Sequence, residues 1–267
     1  MARHARLRNP IGWLSLAGLH WLSPGETRIG ADPGSGIVLE PGPQLAGRLV
    51  RDGDAVTAIG GGAHGFRHDG VPVDRLPLVP DVDAGDDGPT MLELGRYRMC
   101  AIRRGERFAL RVWDTEAEAL SAFSGIPHFP VDPSWRIEAH FEPAEPGRTV
   151  DVPDVLGGVE AEITPGRVMF QRGGSTHRLD TVEGGPHGEL WLIFADATSG
   201  RETYGGGRYL YTDAPAGDGT VTVDFNRAYN PPCVFTPFAT CPLPWPANRL
   251  ATAVTAGELV PPGETEH

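Results

Sequence analysis

Apolar residues along this chain recur mainly at alternate positions in short runs, and glycine or proline cuts each run after a few residues. That period is the one expected of half-buried strands. Between residues 25 and 114 the runs are ETRIG, GIVLE, GRLVR, AVTAI, MLEL and RYRMCAIRRGERFALRVWD. The last predicts a hairpin, two alternating arms around Arg104, Gly105 and Glu106. After residue 127, strands are expected at Trp135–Ala139, TVDVPDV, EAEITPG, RVMFQR, STHRLDTVE and ELWLIFA. ELWLIFA is nearly all apolar, as a strand buried on both faces should be.

Two stretches break this period. PIGWLSLAGLHWL, residues 10–22, places Trp13, Leu16 and Leu19 or His20 at helical spacing, with Pro24-Gly25 just beyond. A short amphipathic helix is therefore expected within a lead-in over residues 1–24. TEAEALSAFS, residues 115–124, gathers strong helix formers behind an acidic first turn and predicts a short helical connector over 115–126. The expected fold is mainly β: two packed β regions with few short helices. They are an N-terminal sandwich-like region at 25–114 and a C-terminal barrel- or sandwich-like region at 127–267.

Composition narrows the function. Lys+Arg 23 against Asp+Glu 35 gives a net charge of -12, which repels phosphate backbones and anionic lipid. Neither nucleic acid nor a membrane is an expected partner, and no run reaches the roughly 20 apolar residues of a spanning helix. Cys100, Cys233 and Cys241 are too few for a disulfide framework, and the N-terminal apolar run is interrupted by Gly12, Gly18 and His20. A cytoplasmic location is expected. His64 and His68 stand four apart in a stretch too rich in glycine for a helix, and Cys233 and Cys241 form no close doublet, so no metal site is expected. Nucleophile-elbow, phosphate-loop and dinucleotide fingerprints do not occur.

Chemistry-bearing residues concentrate between 189 and 250. The loop DATSGRETYGGG crowds Asp196, Thr198, Glu202 and Tyr204 before three glycines. Such a loop lets backbone approach a ligand closely, or else closes a turn on its own hydroxyls. Residues 208–212 and 220–225 read as a hairpin whose register sets Arg208 opposite Asp224, either as a structural ion pair or as an anchor for an anionic group. The prolines at 231, 232, 237, 242, 244 and 246 make the next segment a rigid cover, not a central strand. It brings Asn226, Tyr229, Asn230 and Asn248 as polar candidates.

The motifs FADATSGRETYGGGRYL, DFNRAYNPPCVFTPFATCPLPWPANRL and TAGE (255–258), with GWLSLAGLHWL and HFPVDPSWR, resemble the domain-of-unknown-function 1684 family of bacteria and archaea. This chain has Trp245 where the usual pattern has a second proline. It has His20 and His128 where bulky residues are common, and both join the candidates. The family supplies positions and no mechanism. In the N-terminal region, TRIGADPGSGIVLE and the strands up to TMLELGRYRM resemble a forkhead-associated β-sandwich. Ala31 stands where that family's phosphothreonine-reading arginine would be, so this resemblance implies fold alone.

Two functions are expected from these readings. One is a cofactor-independent enzyme acting on a small polar or anionic molecule, with Glu202, Tyr204 and Asp224 catalytic. Asp196, Thr198, Arg208, Asn226, Tyr229, Asn230, His20 and His128 would bind its substrate. The alternative is a non-catalytic module that binds a small molecule or a protein through the same pocket.

Overall fold

A computed structural model describes residues 2–60, 62 and 64–261. Met1 and residues 262–267, the outer ends of the first and last expected regions, lie outside the described residues. The protein is mainly β, and the chain divides into two units at Phe123/Ser124.

The first unit opens with a short helix α1 (Ala2–Leu7) and holds eleven strands among its described residues. They are β1 (Leu16–Leu22), β2 (Gly25–Gly30), β3 (Ile37–Val38), β4 (Gly47–Asp52), β5 (Ala55–Gly60), β6 (Arg67–His68), β7 (Val71–Pro72), β8 (Arg75–Leu78), β9 (Leu92–Leu94), β10 (Tyr97–Arg104) and β11 (Arg107–Asp114). Helix α2 (Glu118–Ala122) follows. The strands form two sheets, ordered β1-β11-β10-β9-β6-β7 and β3-β2-β4-β5-β8. Their inner faces share one core, in which Ile29 and Leu49 of one sheet meet Met99, Phe108 and Leu110 of the other. The β10–β11 hairpin turns where the alternation placed it, with Arg104 facing Arg107.

The expected helix over residues 10–22 is not formed. Trp13–Ser15 make one 3-10 turn, and β1 then runs antiparallel to β11, with His20 opposite Leu110 and Trp21 opposite Ala109. The middle of β11, Phe108–Val112, is buried, so its outer edge would leave backbone groups without partners if β1 did not pair there. That requirement overrides a helical spacing that Gly12 and Gly18 already weaken.

The second unit contains β12 (Arg136–Pro143), β13 (Thr149–Pro153), β14 (Val159–Ile163), β15 (Gly166–Arg172), β16 (Ser175–Glu183), β17 (Leu190–Phe194), β18 (Arg208–Thr212) and β19 (Thr220–Asp224). Six of them form one curved sheet ordered β18-β17-β16-β15-β12-β19, and β13–β14 is a separate hairpin. The inner face buries Trp135, Phe170, Leu179, Leu192, Phe194, Leu210, Val223 and Phe225. β17 also contributes Ile193 to a smaller cluster with Val150, Val152, Tyr209 and Trp245, so the strand is buried on both faces as its composition required.

β16 and β17 share only two residue pairs, Val182 with Trp191 and Glu183 with Leu190, before they diverge. Asn248 fills the split. Its Oδ1 accepts from the Asp180 amide at 2.8 Å, and its Nδ2 donates to the carbonyls of Asp180 (2.8 Å) and Ile193 (2.9 Å). One amide side chain thus continues the ladder where the strands cannot.

Ahead of β12, Asp132 caps the turn Pro133–Trp135 by accepting from the Ser134 amide at 2.8 Å. The backbone and side chain of Ser134 hold the Asp132 carboxyl below its ordinary range. The folded pKa lies under the unfolded one, so the contribution is present above the unfolded pKa and fades as pH falls through the folded value. Stability measured by urea titration at descending pH should therefore decline less steeply in Asp132→Asn than in the parent. Identical acid limbs would show that the cap is energetically silent.

Candidate functional site

The Gly-rich loop between β17 and β18 folds around Asp196. Its Oδ1 accepts from the Thr198 amide (2.8 Å), the Thr198 hydroxyl (2.7 Å) and the Val254 amide (3.1 Å). Its Oδ2 accepts from Nη2 of Arg208 at 2.9 Å, and both side chains are wholly buried. The two terminal nitrogens of Arg208 also donate to backbone, while its Nε is buried without a hydrogen-bond partner. Nη2 donates to the Val254 carbonyl at 2.9 Å, and Nη1 to the carbonyls of Ala256 and Glu258. The guanidinium carbon lies 5.4 Å from the centre of the Phe194 ring. Burial pulls the Arg208 pKa down, against the opposing pull of Asp196.

The same segment is gripped from the other side. Glu258, 2% exposed, accepts the Asn230 amide at 2.7 Å, and Asn230 Nδ2 donates to the Leu259 carbonyl at 2.8 Å. Gly257 has φ +82, and an added Cβ would sit 2.5 Å from the Ala228 carbonyl oxygen. Asp196, Arg208, Asn230 and Glu258 therefore act as a polar clamp on residues 254–259. The hydroxyls of Thr198 and Thr203, 2.8 Å apart, close the loop beside it. With the acid and the guanidinium buried and paired, this centre holds chain to chain.

The expected Arg208–Asp224 pair is not formed. β18 ladders with β17, placing Arg208 opposite Phe194, and Tyr209 also pairs with Tyr229 of the Pro-rich segment. β19 ladders with β12, placing Asp224 opposite Arg136. The two strands are the edges of the curved sheet and approach each other without laddering, so the intervening loop joins neighbouring edges and not the arms of a hydrogen-bonded hairpin. Asp224 instead caps the 3-10 turn Phe225–Arg227 by accepting from the amide and side chain of Asn226. Asn226 in turn exchanges two hydrogen bonds of 3.0 Å with the backbone of Asp132.

The other candidates are spread over the two units. Glu202 is exposed, whereas Tyr204 is buried with its ring against Gly206. Tyr229 lies near-parallel to Tyr211, at 6.2 Å and 10°. His128 is exposed and bridges Glu258 through backbone. His20 is half-buried on β1 of the first unit, where burial lowers its pKa.

One open cavity of about 480 Å³ lies on the outer face of β19, β12, β15 and β16. Pairing sets Thr220, His140, Met169 and Arg178 in one row across the four strands. Glu138, Gln171 and Thr176 line it from the next row. Gln171 Nε2 donates to the Thr176 hydroxyl at 2.7 Å. The His140 ring sits against Gly219. Next to it, the Thr220 backbone and side chain hold the Asp218 carboxyl below its ordinary range, with a smaller pull from His140. Arg178 is exposed and makes no ion pair among the described residues. Sequence reasoning passed over this row because alternating polar residues on a strand read as a solvated face. The clamp's Glu258 was within reach, since it ends the TAGE motif.

A half-barrel unit clamped by a buried Asp–Arg pair, with a Gly-rich loop and a Pro-rich cover, defines a structural class of protein and not an activity. The chain belongs to the family described as Protein of unknown function (DUF1684), whose model matches residues 121–259. It is similar to an uncharacterized protein of Haloarcula marismortui known from a solution NMR structure. The two share 32% identity over 53% of this chain and 80% of that one, with a TM-score of 0.45. No curated protein matches the chain. Among the described residues, no helix is long and apolar enough to cross a membrane.

Proposed function

We propose that the second unit is a binding module for a small polar molecule carrying an anionic group, held in the groove over β19, β12, β15 and β16. The observation that carries this reading is Arg178, a guanidinium without an ion-pair partner among the described residues, lining a cavity of about 480 Å³. That volume is within the range of about 300–1,000 Å³ usual for small-molecule sites. A guanidinium offers a planar fork of donors suited to a carboxylate or phosphate. Gln171, Thr176, Thr220 and Glu138 add donors and acceptors around it, and Met169 supplies an apolar floor.

Catalysis in the same groove is the competing reading. It is favoured by His140, whose ring lies beside Gly219 and Asp218 and is the one histidine lining the cavity. One assay separates the two. Purified protein is incubated with a defined metabolite mixture, and each compound is scored as retained, consumed or ignored. Retention without consumption is expected. Arg178→Gln should weaken the retained compound by about tenfold or more, the worth of one charge-assisted hydrogen bond. Because Arg178 is exposed, the same change should alter folding by no more than about 0.5 kcal/mol. Consumption of a compound would transfer the site to His140 chemistry, and unchanged affinity in Arg178→Gln would remove the groove from the account.

A further inference from the structure

The Pro-rich segment carries two of the three cysteines, and the fold brings them together. Pro231 and Pro232 lead into the 3-10 turn Pro232–Val234, which fixes Cys233. Cys241 is held from the opposite side. Its carbonyl accepts the Val155 amide at 3.0 Å, and two residues on, the Leu243 amide donates to the Pro153 carbonyl at 2.7 Å. The residues between form an arch whose two feet meet at sulfur, where the Cys233 amide donates to Sγ of Cys241 at 3.1 Å. The cysteines are 2% and 3% exposed. Tyr209 packs beside the arch, its hydroxyl donating to the Pro242 carbonyl at 2.7 Å.

An amide that reaches the partner's sulfur places one cysteine backbone within a single side chain of the other. That is the proximity a disulfide requires, with Cα atoms usually about 4.4–6.8 Å apart. The Cys233 side chain, hydrogen-bonded to Cys241, and burial together push the Cys241 thiol above its ordinary range. The Cys241 thiol is therefore protonated at neutral pH, and its oxidation is slow while the arch stays shut.

We propose that Cys233 and Cys241 are a disulfide-forming pair that a hydroperoxide or a small-molecule disulfide oxidises to a single covalent staple across the arch. With a hydroperoxide, one deprotonated sulfur attacks the peroxide oxygen, the O–O bond breaks, and a sulfenic acid forms with release of the alcohol or water. The second sulfur displaces the hydroxyl as water and the S–S bond closes. With a small disulfide, one sulfur forms a mixed disulfide and releases one thiol, and the second sulfur expels the other. In both routes the pair gives up two electrons and two protons, and the named oxidant takes them.

The test uses the reduced full-length protein, exposed separately to excess hydrogen peroxide and to oxidised glutathione. Remaining thiols are alkylated after denaturation, and the products are digested with chymotrypsin, which cuts after Phe235 and Phe238 between the two cysteines. The expected product is a Cys233–Cys241 linked peptide pair two hydrogens lighter than its reduced sum, reversed by a reducing agent, with a raised melting temperature. Cys100, whose thiol burial pushes up to about 11, is expected to remain alkylatable and is the internal control. Cys100→Ser should keep the link, and Cys233→Ser should lose it. Full alkylation of all three thiols after prolonged exposure would overturn the proposal. So would a link that forms only in urea, or oxidation that stops at sulfinic acid.

Discussion

Arg208→Met is expected to lower the unfolding free energy of the second unit by about 3–5 kcal/mol, the usual cost of removing one partner from a buried ion pair. The substitution leaves the Asp196 carboxylate desolvated and takes donors from the carbonyls of Val254, Ala256 and Glu258. Urea denaturation followed by tryptophan fluorescence measures it, since three of the six tryptophans, Trp135, Trp191 and Trp245, lie in this unit. Adding Asp196→Asn should recover part of the loss, because the stranded charge disappears while the amide still accepts from Thr198. A loss under about 1 kcal/mol, the worth of an exposed pair, would mean that water reaches the clamp.

Asn248→Leu is expected to cost about 3 kcal/mol or more. It leaves the Asp180 amide and the carbonyls of Asp180 and Ile193 without their side-chain partner, at about 1–3 kcal/mol for each buried group. Asn248→Asp separates the roles, since it keeps an acceptor for the Asp180 amide and loses both donations. It should fall close to the leucine variant in thermal unfolding. If both variants melt with the parent, β16 and β17 need no plug where they part.

Elements whose partners are near in sequence were legible from pattern alone. The β10–β11 hairpin was one such case, because alternation and turn chemistry at Gly105 agree with each other. β17 was another, because Ile193 and its neighbours announce burial on both faces. Arg208 and Asp224 were misread for the opposite reason. Their strands are separated by a short loop, yet each ladders with another strand, Arg208 opposite Phe194 and Asp224 opposite Arg136. Nothing local distinguishes two sheet edges joined by such a loop from a hairpin. Residues 10–22 failed similarly, since their spacing suits a helix and the demand for a strand comes from β11, ninety positions later. Of the candidate site, Asp196 and Arg208 stand out in the sequence, but their mutual ion pair is completed by carbonyls of 254–258 that carry no side-chain signal. The groove was invisible because Arg178 looks like any strand-surface arginine until the curvature of the sheet is known.

The clamp also sets a timetable for biosynthesis. Arg208 takes its carbonyl partners from Val254 and Ala256, 46 and 48 residues downstream. At about 5–20 residues per second, a ribosome needs about 2–10 s after adding Arg208 to supply them. Throughout that interval the nascent chain holds a guanidinium and a carboxylate destined for a dry interior, beside the apolar face of β17, with no segment yet available to cover them. Synonymous changes that slow translation between codons 208 and 256 should therefore raise aggregation while leaving the finished protein unaltered.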